Sequence, residues 1–480
     1  MDLSNDIKRL EQAREERARS IVKIHLEAIV SRVVDMTERL TGIIEGSKSL
    51  KAAFKPLRDI ISQEIERAAE GNITAVEYTQ KALSKQDVLV YVGTHWVKVR
   101  MQVWYDFVKD CARMMGLAQE FLEDPEFMNR LFEQSAFRIT RDREQYVPKG
   151  FVWVNLMNGT LEVGSDGTLA FRDHRRDDFF QYVLPYCYDP EAVCPKWHAF
   201  LDKVLPEEQA QDLLAEYMGY CFTRDLKLEK MLIFFGSGAN GKSVATDIVG
   251  AVLGENNCSH VDLERLTTDD NHRSLCEGKL ANISQENGPN VCYSVLKTYV
   301  SGEPLMVKTL YKDPKLMYQY GKIIASYNTL PRTENTEGFY RRWILVPFKV
   351  TIGKQERDIR LKDKLVMELP GILNWVLAGL ARLVANRQFT ESLTCETALE
   401  DYKVNSNSAL RFFTERCVED ETGRLTLKEL YAEYNKFCLE DNVQKRFGKK
   451  QFANQVESAG SYLFMEYNHK CYHLKFRSEM

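Results

Sequence analysis

The residues whose types and spacing point most directly to chemistry form one glycine-rich run, Gly236-Ser237-Gly238-Ala239-Asn240-Gly241-Lys242-Ser243. The run matches the pattern GxxxxGK(S/T) at every fixed position. It stands between an apolar segment, 231–235, and helical sequence that begins at Val244. Glycines allow the backbone to curl so that successive N–H groups, with the amino end of the helix, point at phosphate oxygens. Lys242 is then expected to contact the β- and γ-phosphates of ATP, and Ser243 to ligate Mg²⁺. The sequence therefore predicts an ATP site with Mg²⁺ at 236–244, rather than a glycine-rich turn that carries GKS by accident.

Two polar residues at the ends of later apolar segments could act on the attacking water. Hydrolysis needs an acidic residue near the magnesium and the water. The segment 279–286 has the pattern of a short strand and ends at Glu286, which we interpret as a metal-linked or base-like residue; a structural glutamate is the alternative. Asn328 ends a second such strand, where an asparagine can orient water against the γ-phosphate, although asparagine is also common in turns. Both residues are therefore candidate catalytic groups beside Lys242.

Arg341 and Arg342 enter the apolar segment 343–348 together. An arginine that one subunit supplies to the nucleotide of another stabilises the charge that develops in the transition state. The alternative is an ordinary strand start in which one arginine forms a salt bridge. The pair predicts a catalytic arginine that acts in trans, without indicating which of the two it is.

Length and composition limit the classes of protein to which the chain can belong. A chain of 480 residues is too long for one core and indicates two to four domains. Its 44% hydrophobic and 28% charged residues are typical of globular proteins, and neither an apolar run of membrane-spanning length nor a secretory signal is found. Eleven cysteines without a CxxC pair favour a reducing compartment, so a cytoplasmic protein is expected. Because the net charge is −4, any surface that binds nucleic acid must be a local patch.

Changes in the pattern of apolar, polar and turn residues along the chain predict four regions. Residues 1–75 have helical periodicity and are interpreted as an arm for oligomerisation or partner docking, with a helical cap as the equal alternative. Short alternating strands and turns predict a mixed α+β domain at 76–195. Apolar strands alternate with helices over 196–390, the pattern of an α/β domain. Residues 405–480 have the pattern of three helices and a β-hairpin, which are the parts of a winged helix.

The C-terminal region carries its own candidate DNA contacts. Lys449 and Lys450 stand at the start of its third predicted helix, the place of a recognition helix. Contacts with phosphates are favoured there over the reading of bases. The alternative is a small structural domain whose basic end meets solvent or a partner protein.

Five segments, taken in order, resemble a known family: GSGANGKS, KLANISQE, LKTYVSGEP, IIASYN and FYRRWILVPF. They are similar to the helicase half of phage, plasmid and poxvirus primase-helicases, which belong to superfamily III of the AAA+ class, and the similarity extends over about 85–480. The resemblance implies an AAA+ P-loop motor in the α/β region. It also implies roles for named residues: the phosphate loop for Lys242 and Ser243, the acidic second motif for Glu286, the sensor for Asn328, and the trans-acting arginine for Arg342 or Arg341.

The resemblance also implies DNA contacts and an assembly. A hairpin after LKTYVSGEP would carry Lys308 and Lys312 into a central channel, where lysines suit the tracking of phosphates; a solvated hairpin has the same pattern. Six subunits would encircle single-stranded DNA, with duplex at the fork, and would move 3′ to 5′ in the cytoplasm of a bacterial host or in a virus-infected cell. The function expected is ATP-dependent unwinding of DNA during the replication of a phage, plasmid or mobile element.

Two departures from the family change what is expected. Gln285 precedes Glu286 where many members have a second acidic residue. Mg²⁺ is therefore expected to be coordinated by Ser243, phosphates and water. The first 75 residues are too few for a primase domain, so a separate primase or other replication proteins are expected partners.

Two other functions fit the same pattern. One is an origin-binding replication initiator, in which ATP acts as an assembly switch and the motor melts DNA without travelling along it. The other is an ATPase that remodels protein partners, which Lys308, Lys312 and the basic third helix of the C-terminal region argue against.

Overall fold

The computed structural model of the chain divides into two units. It describes residues 16, 19–76, 87–140, 151–224, 226–285, 288, 290–308, 314–331, 337–441, 446–459, 463–466 and 469–477. Contacts group Met1–Pro190 with Lys308–Lys315 in the first unit, and Glu191–Val307 with Leu316–Met480 in the second. The second unit contains a parallel sheet among helices, so the chain has the mixed α/β fold that the sequence predicts.

The first unit combines helices with two small antiparallel sheets, β1-β2-β3 and β4-β5-β6. In chain order its elements are α1 (19–30), α2 (Thr37–Glu45), α3 (Leu50–Ala69), β1 (Ile73–Val76), β2 (Asp87–Tyr91), β3 (Trp96–Val99), α4 (Met101–Met114), α5 (Gln119–Glu123), α6 (Pro125–Arg138), β4 (Val152–Leu156), β5 (Gly159–Val163) and β6 (Leu169–Arg172).

Helices α3 and α6 pack together in the first unit. Ser49 caps α3 and Asp124 caps α6, each by accepting a hydrogen bond from a backbone N–H in the first turn. One cluster of buried apolar side chains extends from Val22 to Ile139 and includes both helices. The boundary predicted between residues 75 and 76 lies inside this shared core.

The second unit contains the remaining elements, except that the first residue of β11, Lys315, is grouped with the first unit. They are α7 (Pro195–Val204), α8 (Glu208–Tyr220), β7 (Met231–Phe235), α9 (Lys242–Leu253), β8 (Cys258–Ser259), α10 (Leu263–Thr268), α11 (Asp270–Ser274), β9 (Ala281–Ser284), α12 (Tyr293–Val300), β10 (Leu305–Val307), β11 (Lys315–Met317), β12 (Lys322–Tyr327), α13 (Glu337–Tyr340), β13 (Trp343–Pro347), α14 (Leu361–Val366), α15 (Leu369–Asn386), α16 (Leu393–Ser406), α17 (Ser408–Arg416), β14 (Cys417–Glu419), β15 (Leu425–Thr426), α18 (Leu427–Glu440), α19 (Lys449–Ala459), β16 (Leu463–Glu466), β17 (His469–Tyr472) and β18 (Leu474–Phe476).

Five parallel strands form the central sheet of the second unit, in the order β13-β7-β12-β9-β8. Phe235 pairs with Tyr327, so the carboxyl ends of β7 and β12 are level. Met231 pairs with Trp343, so the amino ends of β7 and β13 are level. The loops that follow β7 and β12 therefore meet at one edge of the sheet, and the residues that precede β13 lie at the opposite edge.

Helix α8 packs closely on α15 because glycines face the contact. A Cβ added at Gly379 would lie 2.6 Å from the carbonyl carbon of Ala215, too close for any side chain. In the described part of the chain, α15 alone is long and apolar enough to cross a membrane, and half of it is buried inside the structure. The core helix of a globular protein has the same length and composition, so α15 is weak evidence for a membrane span.

The C-terminal part of the second unit has a core of its own. Buried side chains of α17, α18 and α19 and of the strands around them form one cluster, in which the Tyr434 and Phe452 rings stack with their centroids 4.5 Å apart. Thr426 and Glu429 form a reciprocal capping box at the start of α18. Three helices and an antiparallel β16-β17 pair are the elements that the sequence predicts for this region.

The ten cysteines whose side chains the structure describes are free thiols. Eight of them are buried. Cys187, in the first unit, is exposed, and Cys292, in the second unit, is partly exposed. Hydrogen bonds from Ser294 and from the backbone of Val295 hold the pKa of the Cys292 thiol below its ordinary value.

Candidate nucleotide-binding site

The glycine-rich run forms the loop between β7 and α9, and its glycines meet steric and conformational demands. Gly238 has φ +104° and Gly241 φ +89°, a region that side chains rarely adopt. Gly236 has an ordinary backbone conformation, but there is no room for a side chain, because an added Cβ would lie 2.5 Å from the Phe348 carbonyl oxygen. The loop therefore turns back on itself between a buried strand and a helix, as the phosphate-loop prediction requires.

Side-chain and backbone hydrogen bonds fix this loop to the segment that follows β13. The Asn240 amide donates to the Phe348 carbonyl at 3.0 Å, and the Ile352 N–H donates to the Ala239 carbonyl at 2.8 Å. The Phe348 N–H donates to the Phe235 carbonyl at 2.7 Å. The loop is thus held by hydrogen bonds to Phe348 and Ile352.

Lys242 begins α9 and turns its ammonium group back into the loop. The ammonium donates to the Gly236 carbonyl at 2.7 Å and to the Asn328 Oδ1 at 2.6 Å. The side chain is nearly buried, and this burial lowers the pKa of the amine. Ser243, the next residue, is exposed at the mouth of the loop. Two of the predicted catalytic residues, Lys242 and Asn328, are therefore in direct contact.

The sheet order explains this contact. Asn328 follows β12, which is the neighbour of β7, so the end of β12 lies beside the glycine-rich loop. β9 is the next strand across, and it ends at Ser284, two residues before Glu286. Glu286 itself lies outside the described residues.

The two arginines lie at the other end of the sheet. Arg342 is only 13% exposed: its guanidinium lies 3.0 Å from the Glu229 carboxylate and donates to the Ser301 hydroxyl at 2.9 Å and to the Gly338 carbonyl. Arg341 is 60% exposed and lies 3.4 Å from the same carboxylate. In one chain β7 separates both arginines from the glycine-rich loop.

A cleft of about 570 Å³ opens beside the start of the loop. Its walls come from the ends of β7, β12 and β13 and from one face of α16, and its lining includes Gly236, Ser237, Asn328, Lys349, Asp401 and Asn405. Tyr402 fixes α16 there by stacking on Trp343, with the ring centroids 5.3 Å apart. The volume lies within the range of small-molecule sites.

The predicted channel hairpin begins with β10, which pairs with β11. Arg273 is buried and supports β10, because its guanidinium donates to the Met306 carbonyl at 2.9 Å. Lys308 follows β10 and is exposed. Lys312 lies outside the described residues.

The predicted DNA contacts of the C-terminal region occupy the start of a helix. Lys449 and Lys450 are the first residues of α19, and both are exposed. Phe452, one turn further on, is buried and holds the helix against α17 and α18. The two lysines are therefore presented on a fixed element.

Some residues of the site were missed by reasoning from the sequence. Glu229, the shared partner of the arginines, stands before β7 in no recognisable pattern. Ser301 lies inside the segment LKTYVSGEP, so the family resemblance could have indicated it. The cleft residues of α16 carry no signal beyond helical spacing, because Asp401 and Asn405 look like ordinary exposed positions.

Two family models match parts of the chain. Residues 75–206 match the model described as D5 N terminal like, and residues 234–342 match a family of unknown function, DUF5906. The second match contains the glycine-rich loop, Asn328 and both arginines.

Two viral proteins are among the relatives of the chain. It is 22% identical over 258 residues to a candidate helicase, L207/L206, of Acanthamoeba polyphaga mimivirus, a match to 50% of this chain and 24% of that protein. It is 26% identical over 365 residues to a candidate primase, C962R, of African swine fever virus, a match to 68% of this chain and 37% of that protein. The matched part is thus just under a quarter of the mimivirus protein and somewhat over a third of the African swine fever virus protein.

Among solved structures, the apo C-terminal region of NrS-1 covers 87% of this chain and 98% of its own, with 13% identity and a TM-score of 0.46. By sequence, the chain is similar to viral proteins named as helicase and primase, and it carries two matched regions in the order D5 N terminal like and DUF5906.

Proposed function

We propose that the chain is an ATP-dependent DNA helicase that acts in the replication of a virus, plasmid or mobile element, with an AAA+ motor of superfamily III in its second unit. The observation that carries the proposal is the contact between Lys242 and Asn328 at the end of a parallel sheet. A phosphate-binding ammonium and a side chain that can orient water are thereby joined in one place. The viral relatives support the assignment to replication.

Lys242 and the backbone of the glycine-rich loop would hold the phosphates. Mg²⁺ would bind the Ser243 hydroxyl together with phosphate oxygens and water, and it would neutralise charge as the γ-phosphate is transferred to water. When the phosphates take the Lys242 ammonium, the Asn328 amide is released to hold the attacking water. Glu286 is assigned the task of accepting a proton from that water.

The catalytic arginine would come from a neighbouring subunit. Arg341 precedes β13 and the loop follows β7, so a five-residue strand of about 15 Å lies between them in one chain. Arg342 already has three partners inside its own chain, whereas Arg341 is exposed. We assign the trans-acting role to Arg341, with Arg342 holding the segment in place. A closed ring, proposed to be a hexamer, supplies one such arginine to every site.

DNA contacts are assigned to two places. Lys308, with Lys312, would follow the phosphates of one strand in the channel of the ring. Lys449 and Lys450 would bind duplex phosphates from the winged-helix-like C-terminal module, next to the fork. A primase would be supplied by another protein or another chain segment.

The test is strand separation on a forked DNA without any origin, in ATP and Mg²⁺, with Lys242→Ala and Arg341→Ala as comparison variants. Wild type is expected to open the fork, and neither variant alone is expected to do so. A mixture of the two variants is expected to recover part of the hydrolysis, since some interfaces then pair an intact loop with an intact arginine. No fork opening and no stimulation of hydrolysis by DNA would exclude a helicase.

The C-terminal module favours one second candidate, an origin-binding initiator switched by ATP. A separate core with two lysines at a helix start could select a site on duplex DNA. An initiator would bind one duplex sequence far more tightly than others, and would melt it without unwinding origin-free forks. The forked substrate above therefore separates the two functions.

A further inference from the structure

Two arginines at the interface of α3 and α6 have different surroundings. Arg138 donates its Nε–H to the Ser62 hydroxyl at 2.8 Å and lies 3.6 Å from the Glu66 carboxylate. Arg58 is only 9% exposed, yet in the described part of the chain its Nε has no hydrogen-bond acceptor and its guanidinium has no ion pair. A largely buried cation that forms no ion pair is costly even though the Asp59 and Glu126 carboxylates act on it electrostatically, so Arg58 needs an explanation that Arg138 does not.

The surroundings of Arg58 add positive charge. Its guanidinium lies over the ring of the buried Phe127, 5.9 Å from the centroid. Lys51 and Arg130 are both exposed, and each lies near the Glu126 carboxylate, at 3.8 Å and 3.3 Å. Burial and the charge of Arg130 lower the pKa of Arg58. Cations thus outnumber the carboxylates at this place.

The remaining neighbours do not neutralise the cluster. Asp59 also acts on Arg58 electrostatically, but its carboxylate accepts a hydrogen bond from the Gln134 amide at 2.6 Å. Lys55 is exposed one turn before Arg58 on the same stripe of α3. Four cations therefore face two carboxylates, both of which are already engaged.

An exposed aromatic ring continues this surface along α6. Phe137 is 65% exposed, which is unusual for phenylalanine. It follows Arg130 by seven residues, or two helical turns, so the two side chains share one face about 10 Å apart. A site for single-stranded nucleic acid has two parts: cations that bind the phosphate backbone, and an aromatic ring on which a base stacks.

We propose that Arg58, Lys51 and Arg130 bind a phosphodiester of single-stranded DNA, and that a base of the same strand stacks on Phe137. The phosphate would accept hydrogen bonds from the terminal nitrogens of the Arg58 guanidinium and would displace Glu126 from its two long contacts. The ring favours a nucleic acid over an acidic protein segment, because carboxylates gain nothing from a π face. The site belongs to the first unit and needs no ATP, so it stands whether or not the second unit is a helicase.

The test measures the affinity of the full chain for a fluorescein-labelled dT oligonucleotide by anisotropy, without nucleotide. Arg58→Met is expected to weaken binding about tenfold, because a charge-assisted hydrogen bond is lost. The slope of the logarithm of the association constant against the logarithm of salt concentration is expected to become less steep by about 0.7. This is the contribution of one phosphate contact on a single strand. Arg130→Gln is expected to act in the same direction, and Phe137→Ala to weaken binding at least about fivefold. Arg138→Met is the matched control, with unchanged affinity.

A second measurement distinguishes binding from structural support. Without DNA, Arg58→Met is expected to raise the thermal unfolding midpoint, since an apolar chain replaces an unpaired charge. Arg138→Met is expected to lower it. A bromodeoxyuridine oligonucleotide is expected to crosslink, under ultraviolet light, to the tryptic peptide 131–138, which locates the DNA in the first unit.

Three results would overturn the proposal. One is a lower unfolding midpoint for Arg58→Met together with wild-type DNA affinity, which makes Arg58 structural. Another is unchanged oligonucleotide binding in the exposed variant Arg130→Gln, which gives an answer even if Arg58→Met does not fold. The third is a loss of affinity for polyglutamate, but not for DNA, in both variants, which identifies an acidic polypeptide as the ligand.

Discussion

The two edges of the central sheet differ in how their cations are held. At the carboxyl edge, the Lys242 ammonium points into a loop, and the acceptors it has among the described residues are neutral, the Gly236 carbonyl and the Asn328 amide. At the amino edge, Arg341 and Arg342 share the carboxylate of Glu229. A cation without a carboxylate can exchange its neutral acceptors for phosphate at small cost, whereas a paired one must first lose its partner.

This difference indicates which cations serve a ligand and which serve the fold. Under the proposed function Lys242 would bind an anion, whereas Arg342 holds its segment in place through three partners. Arg341 is intermediate, because it is largely exposed and has one long ion pair. Each of the following experiments replaces one residue at one end of the sheet and measures its effect on ATP hydrolysis, ATP affinity or stability.

The largest effect is expected from Arg341→Ala. If Arg341 reaches the nucleotide of the neighbouring subunit, its loss lowers the kcat of ATP hydrolysis by about 10³-fold. The unfolding midpoint is expected to stay the same, because the side chain is exposed. The control is Arg342→Ala, which is expected to lower the free energy of unfolding by about 1–2 kcal/mol through the loss of its partners. If Arg342→Ala removes activity without loss of stability, the two roles are reversed.

Lys242→Ala is expected to lower kcat by about 10²- to 10³-fold, as the loss of one preorganised donor does at other charged transition states. Phosphate release from ATP is the measurement. Lys203→Ala, which removes a surface ion pair with Glu356, serves as the control with unchanged kcat. Equal hydrolysis by Lys242→Ala and wild type would show that the loop is not the nucleotide site.

Asn328→Ala is expected to reduce kcat by about tenfold to 10²-fold, because the attacking water loses its orientation. ATP affinity is expected to change little, since Lys242 keeps the Gly236 carbonyl and gains the phosphates. A nucleotide-binding titration beside the kinetic assay separates the two quantities. A large loss of ATP affinity with normal kcat would instead make Asn328 part of the binding surface.

The smallest effect concerns Lys322, a cation at the amino edge that lies over the Tyr220 ring, 4.2 Å from its centroid. Burial lowers the pKa of Lys322 to about 8. Between pH 8 and the ordinary value of 10.5 the unfolded chain holds more protons, so the free energy of unfolding rises with pH in that window.

Lys322→Met is expected to raise the free energy of unfolding at pH 7 by an amount on the order of 2 kcal/mol and to remove this rise. Denaturant titrations at pH 7 and pH 10 measure it. An identical pH dependence in Lys322→Met and wild type would contradict the assignment.

The sequence predicts the glycine-rich loop well because its demands are local. Positive φ at Gly238 and Gly241 and the strand before them depend on neighbours in the chain. The contact between Lys242 and Asn328 joins residues far apart in sequence. The position of Asn328 at the end of an apolar strand suggested a role beside Lys242, and the family resemblance assigned both residues to one site.

Other features could not be predicted because they depend on tertiary packing. Nothing in the sequence distinguishes Arg341 from Arg342, since their difference comes from Glu229 and Ser301 on other elements. The core that extends from Val22 to Ile139 crosses the boundary predicted between residues 75 and 76, because residue patterns along a chain do not reveal which helices pack together. The unpaired state of Arg58 is likewise visible only once its neighbours are known.

The distribution of thiols has a consequence for spectroscopy. Of the cysteines whose side chains are described, only Cys187 and Cys292 are accessible, and they belong to different units. Maleimide dyes, which react with accessible thiols, would therefore attach at Cys187 and Cys292 among these cysteines. With Cys471, whose side chain lies outside the described ones, replaced by serine, a donor and an acceptor dye on these two thiols would label different units, and energy transfer between them would test whether ATP changes their separation.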